Sequence, residues 1–409
     1  MTEYKLKDLL EIKNGRDYKH LSEGEIPVYG SGGLMRYVDE SLYQGESILL
    51  PRKGTLSNIQ YVNESFWTVD TIYYSIIDKS KAEAYYLYRY LTLLDLNHLN
   101  SGTGVPSMTF GAYYDIPIKL PDLSTQKKIA KVLSDLDAKI EVNNKINQEL
   151  EAMAKTLYDY WFVQFDFPDA NGKPYKSSGG KMVYNDELKR EIPEGWEVKF
   201  LTEEMDLQYG FPFSTKLFNT VEKGVPVIRI RDILNCTISN YSTQEVDDKY
   251  KLNKGDIVVG MDGNFHINYW NKEDCYLNQR SLRIRSNEDS ISEIQARYSI
   301  EPYIKAREKN VSRTTVAHLS AKDVNDLKVL KAANKIQLKA NDFFKSNLDK
   351  IVANREQNQK LSELRDWLLP MLMNGQVTVT SLRGTKQSHE VNTKSELGMV
   401  GEDKEIYKS

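Results

Sequence analysis

A chain of 409 residues is long enough to build two or three separate hydrophobic cores. Its 40% apolar and 28% charged residues are those of an ordinary globular protein, not of a membrane or fibrous one. A net charge of −3 argues against a protein basic all over, although a basic patch can still occupy one face of a near-neutral molecule.

The opening MTEYKLKDLLEIKNG lacks the basic run and apolar core of a signal peptide. No apolar run approaches the ~20 residues of a membrane span. Cys236 and Cys275 form neither a CxxC motif nor a disulfide framework. The expected location is therefore the cytoplasm.

Residues 1–120 are expected to form a first globular domain. Short β-rich runs at 47–50, 59–62 and 71–77 alternate with Gly, Ser and Asn breaks, which predicts a loop-rich sheet. Apolar spacing at Tyr85, Tyr86, Leu87, Tyr90, Leu91 and Leu94 predicts a helix over 83–96. Most of the tyrosines are expected in cores or half-buried sheet faces.

Residues 121–162 predict one long helix. The run STQKKIAKVLSDLDAKIEVNNKINQELEAMAKTLYDYW (124–161) has no Pro or Gly. Its positions Ile129, Leu133, Leu136, Ile140, Asn143, Asn147, Leu150, Ala154, Leu157 and Trp161 step alternately by four and three, a heptad seam. Two seam positions are Asn, a choice that costs stability and sets register, so Asn143→Leu is expected to stabilise the pair while loosening its register. Residues 163–193, rich in Gly, Pro and Ser, read as a linker. Residues 194–330 predict a second β-rich domain, with runs at 225–231, 256–259 and 281–285. Residues 331–374 predict a second long helix that stops near Asn374 and Gly375. The polar tail, 375–409, is expected to be disordered.

The second helix repeats the first at a shift of 211 residues (337 against 126). Gln126 meets Gln337, Asn143 meets Asn354, Asn147 meets Asn358, and upstream Asp115 meets Asp326. The globular parts echo each other more faintly, GESILLPRKGT (45–55) against GDIVVGMDGN (255–264). The expected fold is α+β: two β-rich domains alternating with two long helices that pair as an antiparallel coiled coil, an internal pseudo-two-fold repeat. The helices have to fit each other; the domains have diverged in what they touch.

Signals for catalysis are weak. The five His are dispersed, and neither a GxSxG elbow nor a Walker Lys-Ser/Thr occurs. Asp169, Glu187 and Lys189 fit a loose PD…ExK nuclease pattern but fall in the Gly/Pro-rich stretch. Loop residues suit nucleic acid better, because Arg reads guanine edges, Asn and Gln read adenine, and Lys or Arg hold phosphates. The candidates are Ser31, Arg36, Arg52, Lys53, Thr55 and Thr103 in the first domain. In the second they are Arg229, Arg231, Asn264, Arg280, Lys309, Arg313 and Thr314. Arg229 with Arg231, and Arg283 with Arg285, alternate so as to share a strand face.

Together, LPDLSTQKKIAKVLSDLDAKIEVNNKINQELE, WFVQFDFPDANGKPYKSSGGKMV, IPEGWEV, GDIVVGMDGNF and MLMNGQV resemble the DNA-specificity subunits of type I restriction–modification systems over roughly residues 1–380. The second helix departs from that pattern, being entered through VLKAANKIQ without the Pro of LPDL. The resemblance implies a non-catalytic subunit that binds double-stranded DNA at a split target, one half-site per domain, with the helices setting the gap. It implies two adenine methyltransferase subunits as partners and, where present, a restriction subunit. S-adenosylmethionine, and ATP with Mg, would then belong to those partners. The competing expectation is a coiled-coil protein–protein scaffold that never touches DNA.

Overall fold

In the computed structural model, residues 1–102, 104–287, 290–309 and 317–379 are described. The tail from 380 onward lies outside them. The described residues divide into two compact units, one made of residues from 1–139 with 361–379, the other of residues from 140–360. No helix among the described residues is long and apolar enough to cross a membrane.

In the first unit a six-stranded sheet runs in the order Leu10–Asn14, Ile72–Ile77, Tyr43–Pro51, Gln60–Thr68, Ile26–Gly30, Gly33–Val38. One neighbouring pair is parallel, joining Val28 with Trp67. The helix Ala84–Thr92 is shorter than the spacing suggests. It starts when the Glu83 carboxylate accepts the Tyr86 N–H, and it ends at Leu93. Ile48, Leu50 and Tyr73 of the sheet form one core with Tyr86 and Leu87, with Ile129 and Leu133 of the first long helix, and with Leu368 and Leu372 of the second.

Besides two-stranded pairs, the second unit carries two larger sheets where the first has its one six-stranded sheet. A four-stranded sheet orders Met205–Tyr209, Ser281–Ser286, Ile257–Gly260, Ile267–Tyr269. A five-stranded sheet orders Phe218–Asn219, Asn240–Ser242, Val225–Ile228, Cys275–Leu277, Lys251–Leu252. The main core joins Ile257 and Ile284 to Ile300 and Ile304 of the helix Glu293–Lys309, and to Ala154 and Phe344 of the long helices. Both cysteines are free and buried.

The stretch read as a linker is a packed part of this unit. After a π-helical turn, Asp159–Val163, Phe165 and Phe167 are buried against Trp196; the Phe167 and Trp196 rings stack at 4.9 Å. A hairpin of Met182–Asn185 with Arg190–Pro193 follows. The glycines that suggested a linker serve turns instead, Gly172 and Gly179 both having positive φ.

The long helices are Leu123–Tyr158, 36 residues, and Asn334–Met373, 40 residues. At ~1.5 Å per residue they span about 54 and 60 Å. Every seam position of the first is buried or half-buried, whereas Val142, Ile146 and Met153 outside the seam are exposed. They run antiparallel: Asp137 meets Arg365 in the first unit, and in the second Asn143 meets Asn358 and Asn147 meets Asn354. Under the shift of 211, Asn143 becomes Asn354 and Asn147 becomes Asn358. The Asn143 Nδ2 bond to Asn358 Oδ1 (2.8 Å) and the Asn354 Nδ2 bond to Asn147 Oδ1 (2.9 Å) are thus one contact made twice.

Each globular domain is closed by a matching pair of strands, Thr2–Lys5 with Pro117–Leu120 and Glu197–Phe200 with Lys328–Lys331. Just before the second member of each pair stands a capped five-residue helix, Phe110–Tyr114 behind Thr109 and Ala321–Asn325 behind Ser320. At the helix entrances Gln126 and Gln337 are buried and tie helix to domain. Gln337 Oε1 accepts the Ala332 N–H. Pro121 stands at the Ala332 position and has no N–H to give. There the Gln126 amide is reversed, its Nε2 donating to the Pro121 and Lys81 carbonyls while Oε1 accepts from Glu83 N–H.

Candidate nucleic-acid interface

The faint echo between GESILLPRKGT and GDIVVGMDGN is a shared backbone frame. In the first domain the Met108 N–H donates to the Arg52 carbonyl, Gly54 N–H to Pro106, and Arg52 N–H to Thr71, at 3.0, 2.9 and 2.9 Å. In the second the Leu319 N–H donates to Met261, Gly263 N–H to Ala317, and Met261 N–H to Arg280, at 2.8, 2.9 and 2.9 Å. A bridge completes each set, Lys53 with Ser107 and Asp262 with His318. Gly54 and Gly263 both take positive φ, +95° and +71°, which an L side chain rarely adopts. Arg52, Lys53, Gly54, Thr55 and Thr71 therefore stand where Met261, Asp262, Gly263, Asn264 and Arg280 stand. Backbone is kept and side chains are exchanged.

In the first domain this frame gathers four of the candidates. The Ser31 carbonyl accepts the Asn58 side chain, and the Ser31 N–H lies 3.4 Å from Thr71 Oγ1. Arg52 is half-buried, with Nη1 on the Asp70 carbonyl, while Lys53 and Thr55 are exposed. Below them the buried Tyr113 hydroxyl donates to the Pro51 carbonyl at 2.8 Å. Burial pushes that phenol's pKa up, so it remains a donor. Arg36 is not part of the group; it sits on the outermost strand of the sheet with its guanidinium over the Tyr18 ring.

In the second domain Asn264 and Arg280 lie on the frame, both exposed. Lys309 ends the helix whose Glu308 accepts the Phe265 N–H and whose Lys305 donates to the Phe265 carbonyl, so the helix end abuts the loop of Asn264. Arg229 and Arg231 do not share a strand face. The strand ends at Ile228, Asp232 accepts the Arg229 N–H, and a short helix, Ile230–Ile233, begins there. Arg229 lies over Phe218, and Arg231 donates to the Ser239 hydroxyl. Arg283 and Arg285 do share a face, but it is internal: Arg283 pairs with Asp206, and Arg285 grips Asp256 by two bonds of 2.7 Å. Thr103, Arg313 and Thr314 lie outside the described residues.

The residues of the loose nuclease pattern are not brought together on a metal-binding group. Among the described residues no group of three or more His, Cys, Asp and Glu could hold a metal ion. Asp169 is spent on a turn, accepting the Asn171 and Lys173 N–H groups, and Glu187 pairs with Lys328.

A chain built twice from a globular domain and a long helix, with one loop frame carrying two sets of side chains, defines the class of a duplicated two-domain recognition protein. The model of the type I restriction modification DNA specificity domain matches residues 1–152 and again 193–363, and the chain belongs to that family. The MjaIX specificity subunit of Methanocaldococcus jannaschii, a type I restriction enzyme subunit, is 26% identical over 92% of this chain and 94% of its own length. The EcoBI specificity subunit of Escherichia coli is 32% identical over 46% of this chain and 40% of its own. The S subunit of a type I system from M. genitalium has the same fold, with a TM-score of 0.57 at 17% identity over 91% of this chain and 95% of that one. The protein is thus a specificity subunit, the recognition part of such a system and not its catalytic part.

Proposed function

We propose that the chain reads a split double-stranded DNA target, one half-site per globular domain, and that the paired helices set the unread gap between them. It brings two adenine methyltransferase subunits, and in a restricting complex a motor-nuclease subunit, to that target in the cytoplasm. S-adenosylmethionine, ATP and Mg are then handled by those partners. The observation that carries this reading is the frame held in common by the two domains. One backbone scaffold presents Arg52, Lys53, Thr55 and Thr71 in one domain and Met261, Asp262, Asn264 and Arg280 in the other. Two readers of different sequences need the same approach to the duplex and different groups facing its bases. Exposed apolar residues on the long helices, among them Val142, Ile146 and Met153 on the first and Leu364 and Trp367 on the second, suit contact with partner proteins.

The test is single-molecule mapping of N6-methyladenine in DNA from cells that co-express the chain with its methyltransferase. The expected result is a motif of two short half-sites around a fixed gap, absent without the chain. Exchanging residues 1–120 for those of a relative should change one half-site and leave the other. A pure scaffold would give no motif, and its assembly would be nearly indifferent to salt. DNA binding by the assembled complex should weaken steeply as salt rises.

A further inference from the structure

The second domain holds an arginine whose backbone is clamped on both sides, Gln279 N–H donating to the Phe211 carbonyl and Gly210 N–H to the Ser281 carbonyl. Arg280 takes a left-handed backbone, φ +65°, a region that a long side chain rarely occupies. Such outliers persist where surrounding structure imposes them, and they gather at functional sites. Here the Met261 N–H bonded to the Arg280 carbonyl fixes the residue to the loop that carries Asp262 and Asn264. Its side chain stays 59% exposed, and its Nη1 lies 3.5 Å from Asp262 Oδ2. The other carboxylate oxygen of Asp262 meets His318 Nδ1 at 2.5 Å. A carboxylate on a surface that approaches phosphates would repel them unless it were paired, and Asp262 is paired on both oxygens. In the first domain the Arg280 position is Thr71, which is turned back onto the Ser31 N–H.

We propose that Arg280 is the guanine-reading side chain of the second domain, and that Asp262, braced by His318, is the positioning residue that aims it. This rests on the DNA-reading function proposed above. A guanidinium offers five donors in a planar fork, which matches the O6 and N7 acceptors of guanine in the major groove. Asp262 engages one Nη and leaves the remaining donors for the base. Because the first domain has Thr71 here, this guanine contact belongs to one half-site only.

Arg280→Gly separates the role from the fold, since glycine accepts φ +65° without strain. Its melting temperature should match or exceed that of the parent chain. In methylation maps of the parent and of R280G, made side by side with the methyltransferase, one guanine should become degenerate. It should lie in the half-site that survives exchange of the first domain, with discrimination falling about tenfold to a hundredfold. The other half-site and the gap should stay the same. Asp262→Asn should relax the same position partially, a change that a merely structural role would not confine to one base. An unaltered motif would overturn the inference. So would an even loss of occupancy with a shallower salt dependence, the signature of a phosphate contact. A parent chain that yields no split motif would overturn the reading function itself, and the control shows that separately.

Discussion

Asp137 keeps a charge where burial opposes it. Desolvation acts to raise its pKa, but hydrogen bonds from Tyr85, Arg365 and Arg89 outweigh that and hold the carboxyl below the usual aspartate range. Tyr85 and Arg89 come from the helix Ala84–Thr92 and Arg365 from the second long helix, so one carboxylate joins three elements of the first unit. Because its folded pKa is depressed, the stability it contributes is fully present above about pH 4 and is lost as pH falls through the folded value. Asp137→Asn should cost about 2 kcal/mol at pH 7, below the ~3–5 kcal/mol of a fully buried pair because the site is partly open. In the parent protein the melting temperature should drop more steeply than in the variant as pH falls below about 4. Parallel pH profiles would contradict this account. Nothing in the sequence marked Asp137, which sits beside the seam and whose arginine partners are 48 and 228 residues away. The same limit applies to Arg283 and Arg285, whose alternation predicts a shared strand face without saying which way it points. Whether an arginine faces an aspartate inside or solvent outside is decided by strand pairing, as between Val258 and Arg283, not by neighbours in the chain.

At the scale of the element, the heptad seam was legible because a helix pair this long must repeat its apolar contacts every three and four residues. The seam asparagines were legible too, but not their bonds. Asn143 donates to both Gln357 and Asn358, at 2.7 and 2.8 Å, and its own Oδ1 is buried without a partner. Replacing it alone therefore does not stabilise the pair, because it strips Asn358 of a donor. Asn143→Leu should destabilise by about 1–2 kcal/mol. Changing Asn143, Asn147, Asn354 and Asn358 together to Leu should instead raise the melting temperature while weakening the register, read as altered cysteine cross-linking across the two helices. If the fourfold variant melted lower with its register intact, the asparagines would be stabilising, not register-setting. Where an element differs from its expectation, the local signal depends on a partner distant in the chain. The Gly/Pro stretch at 163–193 looked like a linker because its aromatic residues find their partner, Trp196, only after the chain folds back. The strand expected over 225–231 stops early because Asp232 caps a helix turn that alternation cannot reveal.

For the whole molecule, the length of the helix pair is the quantity on which the proposed gap depends. Duplicating residues 141–147 and 352–358 adds one heptad to each helix, and the seam keeps its period. That lengthens the pair by about 10 Å, so the unread gap should grow by about three base pairs at ~3.4 Å each while both half-sites stay the same. Methylation mapping would read the change directly, and an unaltered gap would rule out the helices as its determinant. The duplication, the long helices and the family were determined by the sequence alone. Helix spacing is a local, repeating demand, and residues such as Gln126, Asn143 and Asn147 recur 211 positions on to satisfy it. The matching of Lys53 with Asp262 and of Thr71 with Arg280 was decided only by the tertiary structure. That correspondence is carried by backbone hydrogen bonds between distant segments, and those bonds hold a conformation without prescribing the side chains it displays.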